Sequence, residues 1–415
     1  MAVTRRYFLK SGAVALAGLA STPSFLVRTA LAQNSATQGK DHPVIVAIFQ
    51  RGAADGISMV VPFGDRYYAS VRPQIAIPEP QGGAESGAID LDGFFGLHPS
   101  LSALKPIYDD HHLAIVHAVG SPDTTRSHFD AQDYMESGSP GNKSVSDGWL
   151  NRYLQSNPEQ NESSFRAVAL DATLPRSLYG PAPAVAMQRV ADFGIRGGGR
   201  ATPEIEAMFA DLYKDTFDAV KTLRSATGQR YTPAAGVEYP GSAFGQSLQQ
   251  IAQLIKSNVG LEVAFADVGG WDTHANQGSS RGQLANQLKT FGDGLAALYR
   301  DLGDQMRNVV IVTMTEFGRA IRQNGSGGTD HGHASCLFVA GGNVRGGRVY
   351  GRWPGLAPEH LYEGRDLALT TDFRNVFSEI LVKHMGSRNV ARVFPNFTPA
   401  TSLRLLQNEG TGKTG

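Results

Sequence analysis

Five apolar runs, each bounded by glycine or polar turn residues, recur along the 415-residue chain. They are Val44–Phe49, Leu113–Val119, Leu261–Ala266, Val309–Thr313 and Cys336–Ala340. Each run is largely continuous rather than alternating, which is typical of strands that are buried on both faces. The runs therefore predict the strands of a mainly parallel sheet.

Amphipathic helical periods lie between these runs. Apolar residues recur at three- and four-residue spacing over Ala243–Lys256, Gly282–Leu302 and Thr371–Met385, as expected for helices that cover a sheet. Strands that alternate with helices predict right-handed crossovers and an α/β fold with helices on both faces of the sheet.

Proline- and glycine-rich loops and one charged helical stretch, Thr202–Ser225, occupy residues 140–241. We interpret these residues as an insertion or cap on the same sheet rather than as a second domain. Residues 33–415 are therefore expected to form a single domain.

Composition excludes several classes of protein. Apolar residues make up 41% of the chain and charged residues 18%, which rules out a wholly disordered, collagenous or coiled-coil protein. The 38 basic and 38 acidic residues balance, which argues against a nucleic-acid partner. The single cysteine, Cys336, allows no intramolecular disulfide and is interpreted as a buried apolar residue.

The first 32 residues carry four basic residues and no acidic one. Residues 4–10, TRRYFLK, precede an apolar stretch, Gly12–Ala20, that is too short to span a bilayer of about 30 Å. Small residues at 30–32 suit a signal peptidase. The segment resembles a twin-arginine signal peptide, which implies export by the twin-arginine translocase and a periplasmic or secreted mature protein without a membrane span. The alternative is an N-terminal membrane anchor.

Side chains that could bind a ligand follow the predicted strands, at the edge where parallel sheets bind ligands. They are Asp55, Ser127, His128, Asp272, His274, Glu316, Arg319, Asp330, His331 and His333. Mixed carboxylate and imidazole ligands suit zinc, manganese or iron, whereas oxygen ligands suit calcium or magnesium. The carboxylates and imidazoles, His128 apart, are therefore candidate ligands of a divalent metal, although each motif alone is equally typical of a turn or a surface polar pair.

Two of these residues have alternative interpretations. Ser127 opens a predicted helix, Ser127–Glu136, so it is either an ordinary N-cap or a hydroxyl nucleophile beside a metal. Arg319 either pairs with Glu316 or presents its guanidinium to a phosphate or sulfate ester.

Five short motifs carry a family resemblance: residues 50–56 (QRGAADG), 127–132 (SHFDAQ), 270–274 (GWDTH), 315–319 (TEFGR) and 328–332 (GTDHG). Together they resemble the secreted bacterial family catalogued as domain of unknown function 1501, over residues 43–385. The resemblance implies the α/β sandwich of the alkaline phosphatase-like and sulfatase-like hydrolases, with metals at the carboxyl ends of the strands. No activity is established for the family.

The superfamily pattern implied by this resemblance fits only in part. Ser127 would be the nucleophile, with Thr124 and Thr125 as alternatives. Glu316 and Phe317 stand where the superfamily has an Asp-His pair, so one imidazole ligand is missing. One metal, a rearranged site or no metal are all compatible with this pattern. The chain lacks the Cys/Ser-x-Pro-x-Arg motif of sulfatases, which argues against a formylglycine enzyme.

The leading hypothesis is an exported metal-dependent hydrolase of a phosphate, sulfate or related ester. It would use zinc, manganese or calcium and bind a small anionic ester or saccharide-like ligand. Ser127 would attack, while His128 and Arg319 stabilise the anionic group. The alternative is a non-catalytic exported binding protein of the same fold. A third hypothesis, an exported redox protein, draws support only from the signal peptide.

The export hypothesis predicts the behaviour of a conservative double substitution. Arg5→Lys with Arg6→Lys should leave the precursor in the cytoplasm, because the translocase reads the paired guanidinium groups. Immunoblots of cytoplasmic and periplasmic fractions measure this, with the parent chain as control and its mature N-terminus expected near Gln33. Mature variant outside the cytoplasm would contradict twin-arginine export.

Overall fold

The computed structural model describes residues 42–81, 86–158, 163, 165–190, 231–400 and 402–407. The predicted signal peptide, residues 1–32, and the predicted helix Thr202–Ser225 lie outside these residues. In the described part of the chain, no helix is both long enough and apolar enough to cross a membrane.

The described strands and helices follow one another along the chain with short connections. The strands are β1 (Val44–Gln50), β2 (Val60–Val61), β3 (Ile89–Asp90), β4 (Gly96–Leu97), β5 (Leu113–Gly120), β6 (Ala167–Ala169), β7 (Val185–Ala186), β8 (Val263–Val268), β9 (Val309–Met314), β10 (Arg319–Gln323), β11 (Thr329–His331), β12 (Ser335–Gly341), β13 (Arg348–Tyr350) and β14 (Thr371–Asp372). The α-helices are α1 (Gly56–Met59), α2 (Tyr68–Val71), α3 (Lys105–Asp109), α4 (His128–Ser137), α5 (Trp149–Ser156), α6 (Ala243–Lys256), α7 (Gln283–Leu302), α8 (Phe373–Lys383) and α9 (Val390–Val393). Short 3₁₀ helices span Pro99–Leu104, Arg176–Leu178, Gly303–Asn308 and Pro358–His360.

One large sheet organises the fold. Its strand order is β13-β5-β12-β9-β1-β8-β6-β7, and β14 also pairs with β5. β1 is parallel to both β8 and β9, whereas β12 is antiparallel to both of its neighbours, β5 and β9. Two antiparallel steps restore the direction, so the carboxyl ends of β1, β5, β8 and β9 meet at one edge together with the amino end of β12.

Both faces of the sheet are covered. Alternate residues of β1 point to opposite sides: Val46 belongs to an apolar core with α6 and α7, and Ala47 to a second core with α5 and α8. Buried aromatic rings anchor these helices, for example Phe291 on the first side and Trp149 on the second. The predicted three-layer α/β sandwich with a mainly parallel central sheet is therefore confirmed.

The element predictions are largely confirmed, with three differences. The five apolar runs all form strands of the central sheet, and Ala243–Lys256 forms a helix with the predicted bounds. The described part of residues 140–241 contributes α5, β6 and β7 to the main body, so it extends the sheet instead of covering it. The pattern missed β6 and β7 because each is only two or three residues long, and it missed the antiparallel direction of β12.

A small hairpin was also missed. β10 and β11 pair antiparallel, with Arg319 opposite His331, although the Gly/Ser-rich residues between them were interpreted as a linker. The hairpin lies directly before β12, so it stands at the edge where the parallel strands end. It therefore carries His331 to that edge.

Glycine at position 318 is required by the close approach of the hairpin to the sheet. A Cβ added there would overlap with the carbonyl oxygen of Ala334, so Gly318→Ala should destabilise the protein by about 1–3 kcal/mol, the usual cost of overpacking. Gly325→Ala is the matched control, because no atom lies within 4 Å of its added Cβ. Urea denaturation measures both variants. Equal stability of the two would show that the hairpin is not packed as described.

Candidate metal centre

Three imidazole rings and one carboxylate converge where the strands end. His128 is the first residue of α4, Asp272 and His274 follow β8, and His331 ends β11. The Nε2 atom of His331 lies 2.9 Å from Nε2 of His128, 3.0 Å from Nε2 of His274 and 3.2 Å from Oδ1 of Asp272. Ligand atoms of His128, Asp272 and His331 all lie within 4.8 Å of one another, which is close enough to share one ion.

The other nitrogen of each ring has its own acceptor. Nδ1 of His128 donates to Oε1 of Glu316 at 2.8 Å, and Nδ1 of His331 donates to the carbonyl oxygen of Arg126 at 2.9 Å. Nδ1 of His274 lies 3.4 Å from Oδ1 of Asp330. A neutral imidazole that donates through Nδ1 keeps its lone pair on Nε2. The three Nε2 lone pairs are thus directed at one point, the arrangement that metal-binding histidines adopt.

Glu316 lies behind His128 instead of facing the shared point. Its carboxylate is buried and accepts hydrogen bonds from Gly52 N and Gln132 Nε2, both at 2.9 Å, as well as from His128. Burial alone would raise the pKa of Glu316, but the hydrogen bonds from His128 and Gln132 hold it below its usual value. We expected Glu316 to be a metal ligand; its geometry is that of an acceptor that orients a ligand.

Arg319 is committed to the protein and not to a substrate. Its buried guanidinium donates from Nη1 to Oδ1 of Asp272 at 2.6 Å and from Nε to Oγ1 of Thr329 at 3.1 Å, and Nη2 donates to the Thr329 carbonyl oxygen. Burial raises the pKa of Asp272, but Arg319 outweighs it and keeps the pKa low. The expected contact of Arg319 with an anionic ester is therefore replaced by one that keeps Asp272 ionised.

Three other predicted ligands lie outside the convergence point. Asp55 is buried and paired with Arg72, because an isolated carboxylate could not remain charged there. His333 stacks on Tyr362 with ring centroids 4.3 Å apart, and burial lowers its pKa. Asp330 stands behind His274; its hydrogen bond from Asn324 is the main cause of its lowered pKa.

Ser127 precedes α4 and lies in the chain between Arg126 and His128, both of which contact the cluster. It occupies the N-cap position, yet its hydroxyl makes no capping hydrogen bond. Its backbone N–H donates to Oγ1 of Thr125 at 3.2 Å. The ordinary N-cap interpretation is thus the weaker of the two for Ser127.

Sequence reasoning missed several supporting residues. Phe317 is buried beneath the cluster, with its ring centroid 5.0 Å from the rings of both His128 and His331. Gln132 follows His128 by four residues, a helical spacing that predicts a shared face, and this signal could have identified it. The carbonyl group of Arg126 left no signal in the sequence, because any residue supplies one.

The two innermost imidazoles differ in how readily they hold a proton. The hydrogen bond to Glu316 raises the pKa of His128, whereas burial lowers the pKa of His331. Without a metal, the first proton therefore resides on His128, whose Nε2–H can donate to His331. A second proton is disfavoured because two adjacent imidazolium ions repel each other.

The side chains of Asp272 and His274 are 44% and 45% exposed, so an ion could enter from solvent. Three carboxylates with lowered pKa values, those of Asp272, Glu316 and Asp330, surround the imidazoles. The donor set therefore fits a divalent transition metal in both charge and ligand type.

Fold and site together define an α/β protein with a histidine-rich candidate metal centre at the carboxyl edge of its sheet. The chain belongs to the family described as protein of unknown function (DUF1501), whose model matches residues 108–394. This confirms the resemblance drawn from the five motifs. No curated protein matches the chain.

Three solved structures show distant similarity. The PsFucS1 sulfatase from Pseudoalteromonas sp. is 12% identical, with 93% of this chain and 76% of that chain covered and a TM-score of 0.40. The C-terminal periplasmic domain of EcEptC from Escherichia coli, in complex with Zn, is 10% identical, with coverage of 74% and 75% and a TM-score of 0.33. The lipoteichoic acid synthase LtaP from Listeria monocytogenes is 9% identical, with coverage of 71% and 61% and a TM-score of 0.28. Similarities this distant carry no weight in the functional argument.

The proton on His128 predicts that metal affinity depends on pH. An ion must displace this proton, so affinity should be complete at high pH and fall as pH decreases through the raised pKa of His128. Zinc titrations from about pH 5.5 to about pH 8.5 bracket the ordinary imidazole pKa of about 6.5.

Glu316→Gln serves as the comparison for this titration. It removes the charge that raises the pKa of His128, so the loss of zinc affinity should begin at a lower pH than in the parent. An affinity that does not change over this pH range, or the same onset in both proteins, would contradict the described contact.

Proposed function

We propose that this protein is an exported, metal-dependent hydrolase of a phosphate, sulfate or related ester. The observation that carries the proposal is the convergence of three Nε2 atoms and Asp272, with each Nδ1 facing its own acceptor. Such a buried acceptor set is needed only if the Nε2 lone pairs must be kept free, which a metal requires. The resemblance of residues 4–10 to a twin-arginine signal supports export.

The ligand set favours zinc or another transition metal over calcium. Three of the four donors are imidazoles, whereas calcium binds six to eight oxygen ligands. His128, Asp272, His274 and His331 would hold the ion. When bound, a divalent ion supplies Lewis-acid polarisation of the ester oxygens and neutralises developing charge.

The surrounding residues have distinct tasks. Arg319 keeps Asp272 ionised, and Glu316 fixes the ring of His128. Ser127 would attack the central atom of the ester, since its hydroxyl makes no capping bond and the N-terminus of α4 favours negative charge there. Phe317 excludes water from the inner side of the cluster and occupies space that a second ion would need.

A non-catalytic binding protein with the same metal centre is the second candidate. Two observations favour it: Arg319 is not available to an anionic substrate, and Phe317 stands where the superfamily has an imidazole ligand. The two candidates agree on metal binding and differ on the role of Ser127, so one set of variants can separate them.

The metal centre predicts a large effect of His331→Ala, since His331 contacts each of the other three ligands. The variant should lose most of the bound zinc and the stabilisation that zinc provides, which is about 2.7 kcal/mol at a free concentration one hundred times Kd. Elemental analysis and thermal unfolding with and without zinc measure this. His360→Ala, at an exposed histidine, is the control.

Ser127→Ala separates the hydrolase from the binding protein. It should keep metal content and Tm while abolishing turnover of p-nitrophenyl phosphate or sulfate, because it removes only the nucleophile. A parent protein that binds one equivalent of zinc but turns over neither ester would favour the binding protein. A parent that remains free of metal after refolding with zinc, manganese and calcium would refute both candidates.

A further inference from the structure

A buried amide lies between the two segments that carry metal ligands. Gln277 is fully buried. Its Oε1 accepts hydrogen bonds from Oγ1 of Thr273 at 2.8 Å and from Oγ1 of Thr329 at 2.9 Å. Thr273 stands between Asp272 and His274 in the chain, and Thr329 precedes His331 by two residues. One amide oxygen thus joins the loop after β8 to strand β11.

The orientation of this amide is set by the residues behind it. Nε2 of Gln277 donates to Oδ2 of Asp55 at 2.7 Å. Asp55 also accepts from both terminal nitrogens of Arg72, so it remains an ionised acceptor whose pKa is lowered. A flipped amide would set its oxygen against this carboxylate, which is repulsive. Only one orientation of Gln277 therefore satisfies all of its partners.

Arg72 extends the same network to the hairpin. Its Nε donates to the carbonyl oxygen of Ile321 at 2.8 Å and its Nη2 to that of Ala320 at 2.9 Å. These carbonyl groups directly follow Arg319 on β10. The Asp55–Arg72 pair, which sequence reasoning took for part of a metal site, thus fixes the hairpin that carries His331.

The network closes on itself at Asp272. Oγ1 of Thr329, which donates to Gln277, also accepts from Nε of Arg319, and Nη1 of Arg319 donates to Asp272. Asp272 is bonded in the chain to Thr273, which returns to Gln277. This closed ring of contacts bears on the ligand-bearing loop from two directions.

We propose that Gln277 is a positioning residue of the metal centre, which sets the distance between the loop of Asp272 and His274 and the strand of His331. The inference rests on the proposed metal site but adds a residue that cannot itself touch the ion. Removal of the amide leaves two buried hydroxyl groups without their acceptor and frees the two segments to move apart. Partners behind the ligands of a metal commonly change its affinity by about 10–100-fold when they are replaced.

The test compares two buried glutamines in the full mature chain. Gln277→Met keeps the side-chain volume and removes the hydrogen bonds, and it should bind zinc about 10–100-fold more weakly than the parent. Gln50→Met is the matched control, because Gln50 is equally buried but its amide contacts only Sδ of Met59, at 3.9 Å. It should bind zinc like the parent. The visible spectrum of bound Co²⁺, which reports ligand geometry, should change in the Gln277 variant alone.

A second pair of variants covers the case in which Gln277→Met does not fold. Thr273→Val removes one hydroxyl that donates to Gln277 and should weaken zinc binding, whereas Thr273→Ser keeps the hydroxyl and should restore it. Parental zinc affinity and Co²⁺ spectrum in both Gln277→Met and Thr273→Val would overturn the inference while leaving the metal site intact. A parent that binds no zinc would overturn the proposed function first, and the inference with it.

Discussion

Three imidazole rings whose Nε2 atoms lie about 3 Å apart cannot all be protonated, and the rest of the site follows from this constraint. Glu316, Asp330 and the Arg126 carbonyl group hold the outer nitrogens, so that the lone pairs stay on the inner ones. Asp272 adds a negative charge that Arg319 keeps ionised. The arrangement resolves its own repulsion with either one proton or one cation, and the ionised carboxylates around it favour the cation.

The direction of one strand decides where this site forms. The loops after β5, β8 and β9 reach the same edge because those strands run parallel. The hairpin that carries His331 reaches it because β12 runs the other way and begins at that edge. A parallel β12 would begin at the opposite edge, and His331 would lie a full strand length from its partners.

Local patterns predicted the sheet well because continuous apolar runs and helical periods are properties of neighbouring residues. They also brought the imidazoles to the correct edge, since strand ends can be recognised in the sequence. They did not distinguish a ligand from a residue that supports one. Glu316, Asp55 and Arg319 follow strands just as Asp272 does, but each is engaged by a buried partner from a distant segment, such as Arg72 for Asp55. Partners of that kind depend on tertiary packing, which no local spacing encodes.

The wide sequence separation of the ligands has a consequence for how the chain acquires its ion. His128 and His331 are 203 residues apart, and His274 and His331 are 57 apart. Loops this long close late in folding, because their contacts require most of the sheet to be in place. Before then, only near neighbours such as Asp272 and His274 can bind an ion together, and such a pair holds it weakly and with little selectivity. Tight, selective binding is therefore a property of the finished fold, and the choice of metal is made by whichever ions surround the protein when folding ends.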